Sequence, residues 1–320
     1  MTLALEAIGL GKRYGRTWGL RDCSLSIPPG HVAALVGPNG AGKTTLLKLA
    51  VGLLRPSAGA IRTFGETPRD DPSALARIGF VGQDTPLYAD FTVAELLTMG
   101  EKLNPRWDQA GAKDRLGRLA IPLDRKTGRL SGGQRAQVAL TLALTKQPEL
   151  LVLDEPVASL DPLARKDFLA ALMGSVAERG LTVILSSHLI ADLEHRCDYL
   201  IVLSESRVQA LGQVDELLSR HWILVGPRRD DERVAGVDVV VQVSHTDRQT
   251  TMLVRSDAAI TDPAWTIHAV GLEELVLAYL AEPSAGILPG PQPTAVAVAL
   301  AAPRRPRLPR DDYADLLTGL

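Results

Sequence analysis

Short apolar segments alternate along the chain with longer segments whose apolar residues recur at helical spacing. The short segments HVAALVG (31–37), LLVLDE (150–155) and LTVILSSH (181–188) each contain a run of apolar residues. Longer periodic segments lie between them, such as TLLKLAVGLL (45–54) and LARKDFLAALMGSVAERG (163–180). Apolar strands that alternate with helices are typical of a mostly parallel sheet with helices on both faces. The pattern therefore predicts an α/β fold.

One long segment interrupts this alternation. Residues 91–146 look almost wholly helical and are interrupted at Pro105 and Pro122. Proline inside a helical pattern ends or kinks the helix, so these two positions are expected helix boundaries. We predict a helical subdomain, at about residues 84–148, that is inserted into the α/β core.

After about residue 204 the pattern changes again. The segments VDVVVQV (237–243) and TTMLVRS (250–256) predict strands, and GLEELVLAYL (271–280) predicts an amphipathic helix. These elements are expected to form a small accessory α+β unit at the C-terminal side of the core.

The chain thus divides into three parts. We predict a first domain over residues 1–220 and the accessory unit over 221–282. The remaining segment, 283–320, is rich in proline and arginine. Its composition is unable to bury a core, so it predicts a disordered tail.

Composition and charge exclude several classes of protein. The 320 residues include 35 Lys and Arg against 37 Asp and Glu, a net charge of −2, so no excess of positive charge points to nucleic acid. Cys23 and Cys197 predict neither a disulfide framework nor a zinc site, and we interpret both as packing residues. The N-terminal residues do not resemble a signal peptide. The longest late apolar run, 294–302, is far shorter than the roughly 18 residues that a membrane helix needs. We expect a cytoplasmic chain that does not span a bilayer by itself.

A phosphate-binding loop is predicted where the first apolar strand ends. The segment LVGPNGAGKTTLL (35–47) contains Gly37, four further residues, and then Gly42, Lys43 and Thr44. Glycines let successive backbone N–H groups converge on phosphate oxygens, and the N-terminus of the following helix favours an anion. In this motif Lys43 reaches the β- and γ-phosphates and the Thr44 hydroxyl coordinates Mg²⁺. The alternative is a glycine-rich turn with a solvated lysine.

Acidic residues and a histidine follow the other two apolar strands. Asp154 and Glu155 end the second strand and His188 ends the third. The C-terminal edge of a parallel sheet is where ligands bind, so we expect Asp154 at Mg²⁺ and Glu155 polarising a water molecule. His188 would contact the γ-phosphate or hold Glu155. The alternative is that both acids and the histidine are ordinary surface groups. Structural roles are assigned to the other histidines, His31, His195, His221, His245 and His268.

The segment RLSGGQRAQ (129–137) contains an unusual helix start. Ser131 and Gln134 have the spacing of a capping box, in which each side chain accepts a hydrogen bond from a backbone N–H. Gly132 and Gly133 follow in the first turn, where each glycine weakens a helix by about 1 kcal/mol relative to alanine. A cap alone does not need them, so they suggest close approach by another group.

Taken in order, these motifs resemble those of the nucleotide-binding subunits of ABC transporters, over about residues 3–215. Tyr14, in KRYG, resembles the aromatic residue that stacks on adenine, and Gln83, in GFVGQD, resembles the glutamine of the Q-loop. LSGGQ (130–134) matches the signature sequence of the family, ASLD (158–161) matches its D-loop, and SSH, ending at His188, matches its switch histidine. The phosphate loop and LLVLDE fit its Walker A and Walker B motifs.

The resemblance implies a fold and a binding site. It implies a P-loop NTPase with a RecA-like core, a mixed sheet, the inserted helical subdomain and the small C-terminal extension. ATP and Mg²⁺ are the implied ligands. Implied catalytic residues are Lys43, Gln83, Glu155 and His188, and implied metal ligands are Thr44, Gln83 and Asp154. The implied nucleotide-binding residues are Tyr14, Gly37, Pro38, Asn39, Gly40, Ala41, Gly42, Lys43, Thr44, Thr45, Ser131, Gly132, Gly133, Gln134 and Asp161.

The resemblance also implies how the subunit works. In this family two nucleotide-binding domains meet head to tail, and each ATP lies between the phosphate loop of one and the LSGGQ of the other. The group that approaches Gly132 and Gly133 is then the γ-phosphate held by the partner. A second copy of the chain, or a related ATPase subunit, is therefore expected.

For the function, we expect the ATPase of a transporter whose permease subunits are separate chains, located on the cytoplasmic face of the membrane. Export is favoured because GLEELVLAYL (271–280) resembles the closing helix of ATPases in the drug, antibiotic and bacteriocin exporter group, although Val276 or Leu277 replaces a phenylalanine. A plain amphipathic helix is the alternative. The competing function is a soluble ABC ATPase that acts on ribosomes or nucleic acid. Such relatives usually carry tandem domains or a long coiled coil, and this chain has neither pattern.

Overall fold

The computed structural model describes residues 2–68, 72–83, 85–228 and 234–282. The predicted tail, 283–320, lies outside the described residues. The strands are β1 (Leu5–Tyr14), β2 (Thr17–Ile27), β3 (Val32–Val36), β4 (Ala58–Thr63), β5 (Ile78–Val81), β6 (Leu150–Asp154), β7 (Thr182–Ser187), β8 (Tyr199–Ser204), β9 (Arg207–Gln213), β10 (His221–Pro227), β11 (Val239–His245), β12 (Gln249–Arg255) and β13 (Thr266–Ala269). The helices are α1 (Lys43–Ala50), α2 (Pro72–Ala76), α3 (Val93–Leu103), α4 (Gln109–Arg118), α5 (Gly132–Thr145), α6 (Pro162–Arg179), α7 (Val214–Arg220) and α8 (Leu272–Ala281).

A six-stranded mixed sheet forms the centre of the fold, in the order β5-β6-β7-β3-β8-β9. Its strands pair in parallel except β9, which is antiparallel to β8. Every residue of β3, β6, β7 and β8 is buried, because helices or a second sheet cover both faces. The predicted α/β fold with a mixed sheet is confirmed.

A separate antiparallel sheet, in the order β2-β1-β4, covers one side of the core. Its buried residues, Leu10 and Leu25 among them, pack in one apolar cluster with Leu46 and Leu47 of α1. Helix α1 therefore lies between the two sheets. The sequence analysis did not predict this sheet, because its strands are only half buried and lack continuous apolar runs.

The helical insert is less continuous than the pattern of 91–146 predicts. Helices α3, α4 and α5 form it, and Leu97, Leu116 and Val138 share its apolar cluster. Between α4 and α5 the backbone is extended or turned, apart from a short 3-10 helix at Thr127–Arg129. Pro122 lies in this segment, which is held by backbone hydrogen bonds to the start of α3, so the nearly wholly helical expectation is wrong there.

The C-terminal elements form a four-stranded sheet in the order β11-β12-β10-β13, followed by α8. The predicted strands and helix of this region are present, whereas β10 and β13 were not predicted. Helix α8 does not stand apart, because Leu275 and Tyr279 share an apolar cluster with Leu200 and Val202 of the central sheet. The division at residue 220 stays a prediction.

Cys23 and Cys197 are both buried and unpaired, as expected for packing residues. Among the described residues, no helix combines the length and the apolar character that crossing a membrane requires.

Candidate functional site

The phosphate loop connects β3 to α1 and is shaped by positions that exclude side chains. Gly42, the residue before α1, has φ 107°, and a Cβ there would lie 2.3 Å from the carbonyl oxygen of Gly19. A Cβ on Gly37 would lie 2.1 Å from the carbonyl oxygen of Leu203. At both positions any residue larger than glycine would clash with these carbonyl oxygens unless the backbone moved. The loop thus packs tightly against β2 and β8, and this packing requires the glycines of the sequence motif.

Lys43 holds a buried ammonium group beside the loop. Its side chain is 5% exposed, and Nζ donates to the carbonyl oxygens of Gly37, at 2.8 Å, and Pro38, at 3.3 Å. Nζ also lies 3.3 Å from Oε1 of Glu155. The cation therefore rests on backbone carbonyls and one carboxylate at the point where a phosphate is expected.

Asp154 and Glu155 are placed by the pairing of β6 with β7. Asp154 is opposite Ser186 in the parallel register, and it is 1% exposed. The Ser186 hydroxyl donates to Oδ1 of Asp154, at 2.9 Å, and accepts from the backbone N–H of Glu155, at 2.8 Å. Glu155 has φ 45°, a conformation that non-glycine residues seldom adopt and that is often found at functional sites. One serine thus fixes both acidic residues, and the sequence analysis did not single it out.

His188 follows β7 and contacts Glu155. Nδ1 of His188 lies 3.2 Å from Oε2 of Glu155, whose other oxygen faces Lys43. The histidine side chain is about half exposed, whereas Glu155 is nearly buried. Glu155 therefore bridges a buried cation and a partly exposed imidazole, as expected for a carboxylate held at a reaction centre.

A pocket of about 370 Å³ lies over this arrangement. It brings together the loop, Gln83 and Glu155. Gly19, from β2, is a pocket residue that the sequence analysis missed, since only the fold places it there. The lining residues are Gly19, Asn39, Gly40, Gly42, Lys43, Thr44, Thr45, Gln83 and Glu155. Gly37, Pro38 and Ala41 belong to the loop without lining the pocket, and Asp154 and His188 do not line it either.

Tyr14 lies at the edge of this pocket, beside Gly19. The ring is half exposed, at 49%, and a Cβ on Gly19 would lie 2.9 Å from Cε2 of Tyr14 and 3.4 Å from the Thr45 hydroxyl oxygen. The ammonium of Lys12 lies 5.6 Å from the centre of the ring. Tyr14 thus presents an accessible aromatic surface next to the phosphate loop.

The signature segment lies outside this pocket. Ser131 and Gln134 form the expected capping box, with both hydrogen bonds at 3.2 Å. A Cβ on Gly132 would meet nothing within 4 Å, and a Cβ on Gly133 would lie 3.1 Å from that of Ala164. None of Ser131, Gly132, Gly133 and Gln134 lines the pocket of its own chain. Close packing within the chain therefore does not account for the glycine at 132.

Asp161, the last residue of the D-loop motif, also lies outside the pocket. Its carboxylate caps α6 by accepting from the backbone N–H groups of Leu163, at 3.1 Å, and Ala164, at 3.0 Å. The histidines that were assigned structural roles do not line the pocket either. His31 pairs with Asp198, and His221 is buried and hydrogen-bonded.

The residues that could hold Mg²⁺ offer oxygen donors of the right kind. Thr44 supplies a hydroxyl and Gln83 an amide at the pocket, and Asp154 supplies a buried carboxylate at the end of β6. No group of three acidic, histidine or cysteine residues that could bind a metal by itself occurs among the described residues. Mg²⁺ is commonly held by one or two carboxylates together with substrate phosphates, so this donor set fits it.

The relatives and solved structures most similar to the chain are ATP-binding proteins of ABC transporters. A family model described as ABC transporter matches residues 20–158, and a second model, for an AAA domain, matches residues 130–191. The chain is 36% identical over 222 residues to the Nod factor export ATP-binding protein I of Paraburkholderia xenovorans, covering 68% of this chain and 73% of that protein. It is 33% identical over 224 residues to a sulfate/thiosulfate import ATP-binding protein of Yersinia pseudotuberculosis, covering 67% of this chain and 62% of that protein.

A solved structure has the same core. It is described as the structure of an ATP binding subunit of an ABC transporter, and it is 31% identical in sequence with a TM-score of 0.61. The match covers 68% of this chain and 92% of the solved one. The α/β core described above is therefore that of an ABC ATPase.

Proposed function

The chain belongs to the family of ABC transporter ATP-binding proteins, which are ATPases coupled to transport, and we propose that it hydrolyses MgATP to drive export through separate membrane subunits. The observation that carries this proposal is the Lys43–Glu155–His188 arrangement beneath the phosphate loop. In this arrangement the Lys43 ammonium can bind phosphate oxygens, and the Glu155 carboxylate can accept a proton from water.

Binding of ATP begins at the loop. Its backbone N–H groups and the N-terminus of α1 attract the phosphates, and Lys43 exchanges the Glu155 carboxylate for the β- and γ-phosphate oxygens. The adenine stacks on the exposed ring of Tyr14. The exchange releases Glu155 from Lys43 while His188 still holds it, so the carboxylate becomes available to a water molecule.

Hydrolysis then needs little rearrangement within the chain. Glu155 orients the attacking water and takes a proton from it. The water oxygen bonds to the γ-phosphorus while the bond from that phosphorus to the leaving oxygen of ADP breaks. The products are ADP and phosphate. His188 keeps the Glu155 carboxylate in place and lies near the departing phosphate. Mg²⁺, held by Thr44, Gln83 and Asp154, would neutralise phosphate charge.

A second copy of the chain, or a related ATPase subunit, completes the site. The signature helix start at Ser131 is exposed, and the space around Gly132 is open. A helix N-terminus with a free approach favours an anion. We propose that Ser131, Gly132, Gly133 and Gln134, with Asp161 nearby, contact the ATP bound by the other subunit.

An apolar groove is our candidate surface for the permease subunits. A cavity of about 490 Å³ lies between the helical insert and the central sheet, and Leu53, Phe80, Met99 and Trp107 are among its lining residues. Leu103, at its edge, is 72% exposed. Groups of exposed apolar side chains mark interaction sites. A short amphipathic helix of a permease on the cytoplasmic face of the membrane would cover them.

Export is the direction we propose. The similarity to a Nod factor export protein supports it, and so does the predicted closing helix, which the structure contains as α8. A relative named as an importer is similar to almost the same degree, so a direct assay of direction is needed. In proteoliposomes with the co-purified permease, ATP added outside should drive substrate into the lumen. ATP-driven loss of preloaded substrate would indicate import.

Two measurements test the proposed function, ATP hydrolysis by the chain and identification of the proteins that co-purify with it. We expect the full chain, expressed with the genes beside its own, to hydrolyse MgATP and to co-purify with a polytopic membrane protein. Co-purification with ribosomes or nucleic acid would instead support the alternative function. No ATP binding by calorimetry, with the protein folded, would contradict both.

A further inference from the structure

A partly buried ion pair joins two segments that flank the candidate site. Nη1 of Arg165, in the first turn of α6, lies 3.4 Å from Oδ2 of Asp192, in the short 3-10 helix at Ile190–Asp192. The two side chains are only 23% and 18% exposed. This pair lies outside every motif named above.

Because the pair is partly buried, loss of one of its charges is expected to cost more than loss of a charge from an exposed salt bridge. Taking charges out of water is costly, and removing one partner of a buried pair leaves the other uncompensated. Within the described residues, Nε of Arg165 and Oδ2 of Asp192 are buried without a hydrogen-bond partner. The charge–charge attraction between the two groups offsets the burial of these atoms, so the pair favours one arrangement of its two segments.

One of these segments contains His188. Asp192 follows His188 by four residues, and its carbonyl oxygen accepts a hydrogen bond from Nη1 of Arg196, at 2.9 Å. The backbone N–H of Leu189 donates to the Ser187 hydroxyl, at 3.0 Å, so this hydrogen bond spans His188. Local hydrogen bonds thus shape the segment around His188, and the Arg165 contact joins this segment to α6.

The other segment begins at Asp161. The backbone N–H of Arg165 donates to the carbonyl oxygen of Asp161, at 2.9 Å, in the first turn of α6. The same first turn is capped by the Asp161 carboxylate. Arg165 is therefore rigidly connected to the D-loop residue that we propose to contact the partner's ATP.

We propose that Arg165 and Asp192 are a positioning pair for hydrolysis, which holds His188 against Glu155 and ties its segment to the start of α6. The pair touches neither nucleotide nor the reacting atoms, so it acts through His188. This inference rests on the proposed function, because it assigns a role in ATP hydrolysis.

The test uses neutral variants of nearly equal size in the full chain. Arg165→Gln and Asp192→Asn should each lower kcat for ATP by about tenfold, within the range of interaction energies of coupled residues. KM for ATP should change by less than about twofold, because the nucleotide-binding groups are untouched. The double variant should be no slower than the slower single variant, and Arg165→Lys should recover most of the activity.

The control is an exposed ion pair of the same chemistry. Arg118 and Asp114 lie on α4 with side chains 75% and 67% exposed, so Arg118→Gln and Asp114→Asn should leave kcat unchanged. Thermal unfolding of each variant shows whether it is folded at the assay temperature. Folded Arg165→Gln and Asp192→Asn variants with wild-type kcat, or losses of kcat that multiply in the double variant, would overturn the inference. A wild-type chain without ATPase activity would instead contradict the proposed function.

Discussion

Glu155 has two partners in the structure, and ATP replaces one of them in the proposed mechanism. One carboxylate oxygen faces the Lys43 ammonium at 3.3 Å and the other faces His188 at 3.2 Å. The ion pair with Lys43 places a negative group where a phosphate would bind. Glu155 therefore competes with ATP for Lys43 before it assists hydrolysis, and its substitution has opposite effects on the two steps.

The substitution Glu155→Gln should separate binding from hydrolysis. The amide keeps the size of the side chain but is unable to take a proton from water, so we expect hydrolysis to fall by about a hundredfold or more. Binding of ATP should be equal or tighter, because Lys43 loses an anionic competitor. Size-exclusion chromatography in MgATP should show an accumulated dimer, while the control Glu101→Gln, at an exposed position of α3, behaves as wild type. Near wild-type hydrolysis by the Glu155 variant would remove it from the mechanism.

The substitution Lys43→Ala should reduce ATP affinity, because it removes the ammonium group that is expected to bind the phosphates. A hydrogen bond to a charged group contributes about 1.5–3 kcal/mol, so we expect a loss of about ten- to a hundredfold. Calorimetric titration with ATP measures it, and Lys48→Ala provides the control, since Lys48 lies exposed on the same helix. Equal affinities of the Lys43 variant and the wild type would disprove the phosphate-loop assignment.

Gly19 allows the Tyr14 ring to lie against the phosphate loop. A Cβ on Gly19 would lie 2.9 Å from the ring, so Gly19→Ala should displace Tyr14 and weaken ATP binding. In a Tyr14→Ala background the same substitution should have no further effect, because the displaced group is absent. Gly117→Ala, at a helical position with nothing within 4 Å, is the control. Equal losses of affinity in both backgrounds would show that Gly19 acts without Tyr14.

At the scale of elements, a buried histidine connects α7, β10 and α8. Nδ1 of His221 lies 2.6 Å from the carbonyl oxygen of Leu217, and Nε2 lies 2.9 Å from the hydroxyl of Tyr279. Burial lowers the pKa of His221 and the nearby Arg255 and Arg220 add to this effect, although the Leu217 carbonyl opposes it. The folded protein therefore favours a neutral imidazole that donates a hydrogen bond from Nδ1 to the Leu217 carbonyl and accepts one at Nε2 from the Tyr279 hydroxyl.

This arrangement predicts a loss of stability in mild acid. Above about pH 6.5, the ordinary pKa of histidine, folded and unfolded chains both carry neutral His221, and its full contribution is present. As the pH falls below this value, the unfolded chain takes up a proton more readily, so stability decreases until the folded pKa is reached. The midpoint of thermal unfolding should fall more between pH 7.5 and pH 5.5 in the wild type than in His221→Gln. The exposed His268→Gln should follow the wild type, and equal pH dependence of all three proteins would contradict the prediction.

At the scale of the whole molecule, the sequence predicted the features that depend on local pattern. Continuous apolar runs identified β3, β6 and β7, since strands buried on both faces have no polar alternation. The spacing of Gly37, Gly42 and Lys43 identified the loop. The half-buried strands β1 and β2 and the exposed β13 lack such a pattern and were missed, and the fully buried β8 was missed although it is mostly apolar.

Contacts between distant segments account for the rest of what the sequence did not reveal. Gly19 joins the pocket only because β2 packs beside α1, and Ser186 reaches Asp154 only through the register of β6 and β7. Arg165 and Asp192 are separated in sequence and carry no motif. Their roles follow from tertiary packing, which residue spacing does not encode.

The central claim is that ATP is held between two copies, with the phosphate loop of one facing the signature segment of the other. It is tested most directly by cross-linking two variants that each carry one new cysteine, Asn39→Cys and Gly132→Cys, both with Glu155→Gln to prevent turnover. A disulfide requires Cα atoms within about 7 Å, so it reports close approach of the two segments. The account predicts a covalent dimer that joins one copy of each variant in MgATP and does not form without nucleotide. If the mixture yields no such dimer in MgATP while both variants bind ATP, the claim is contradicted.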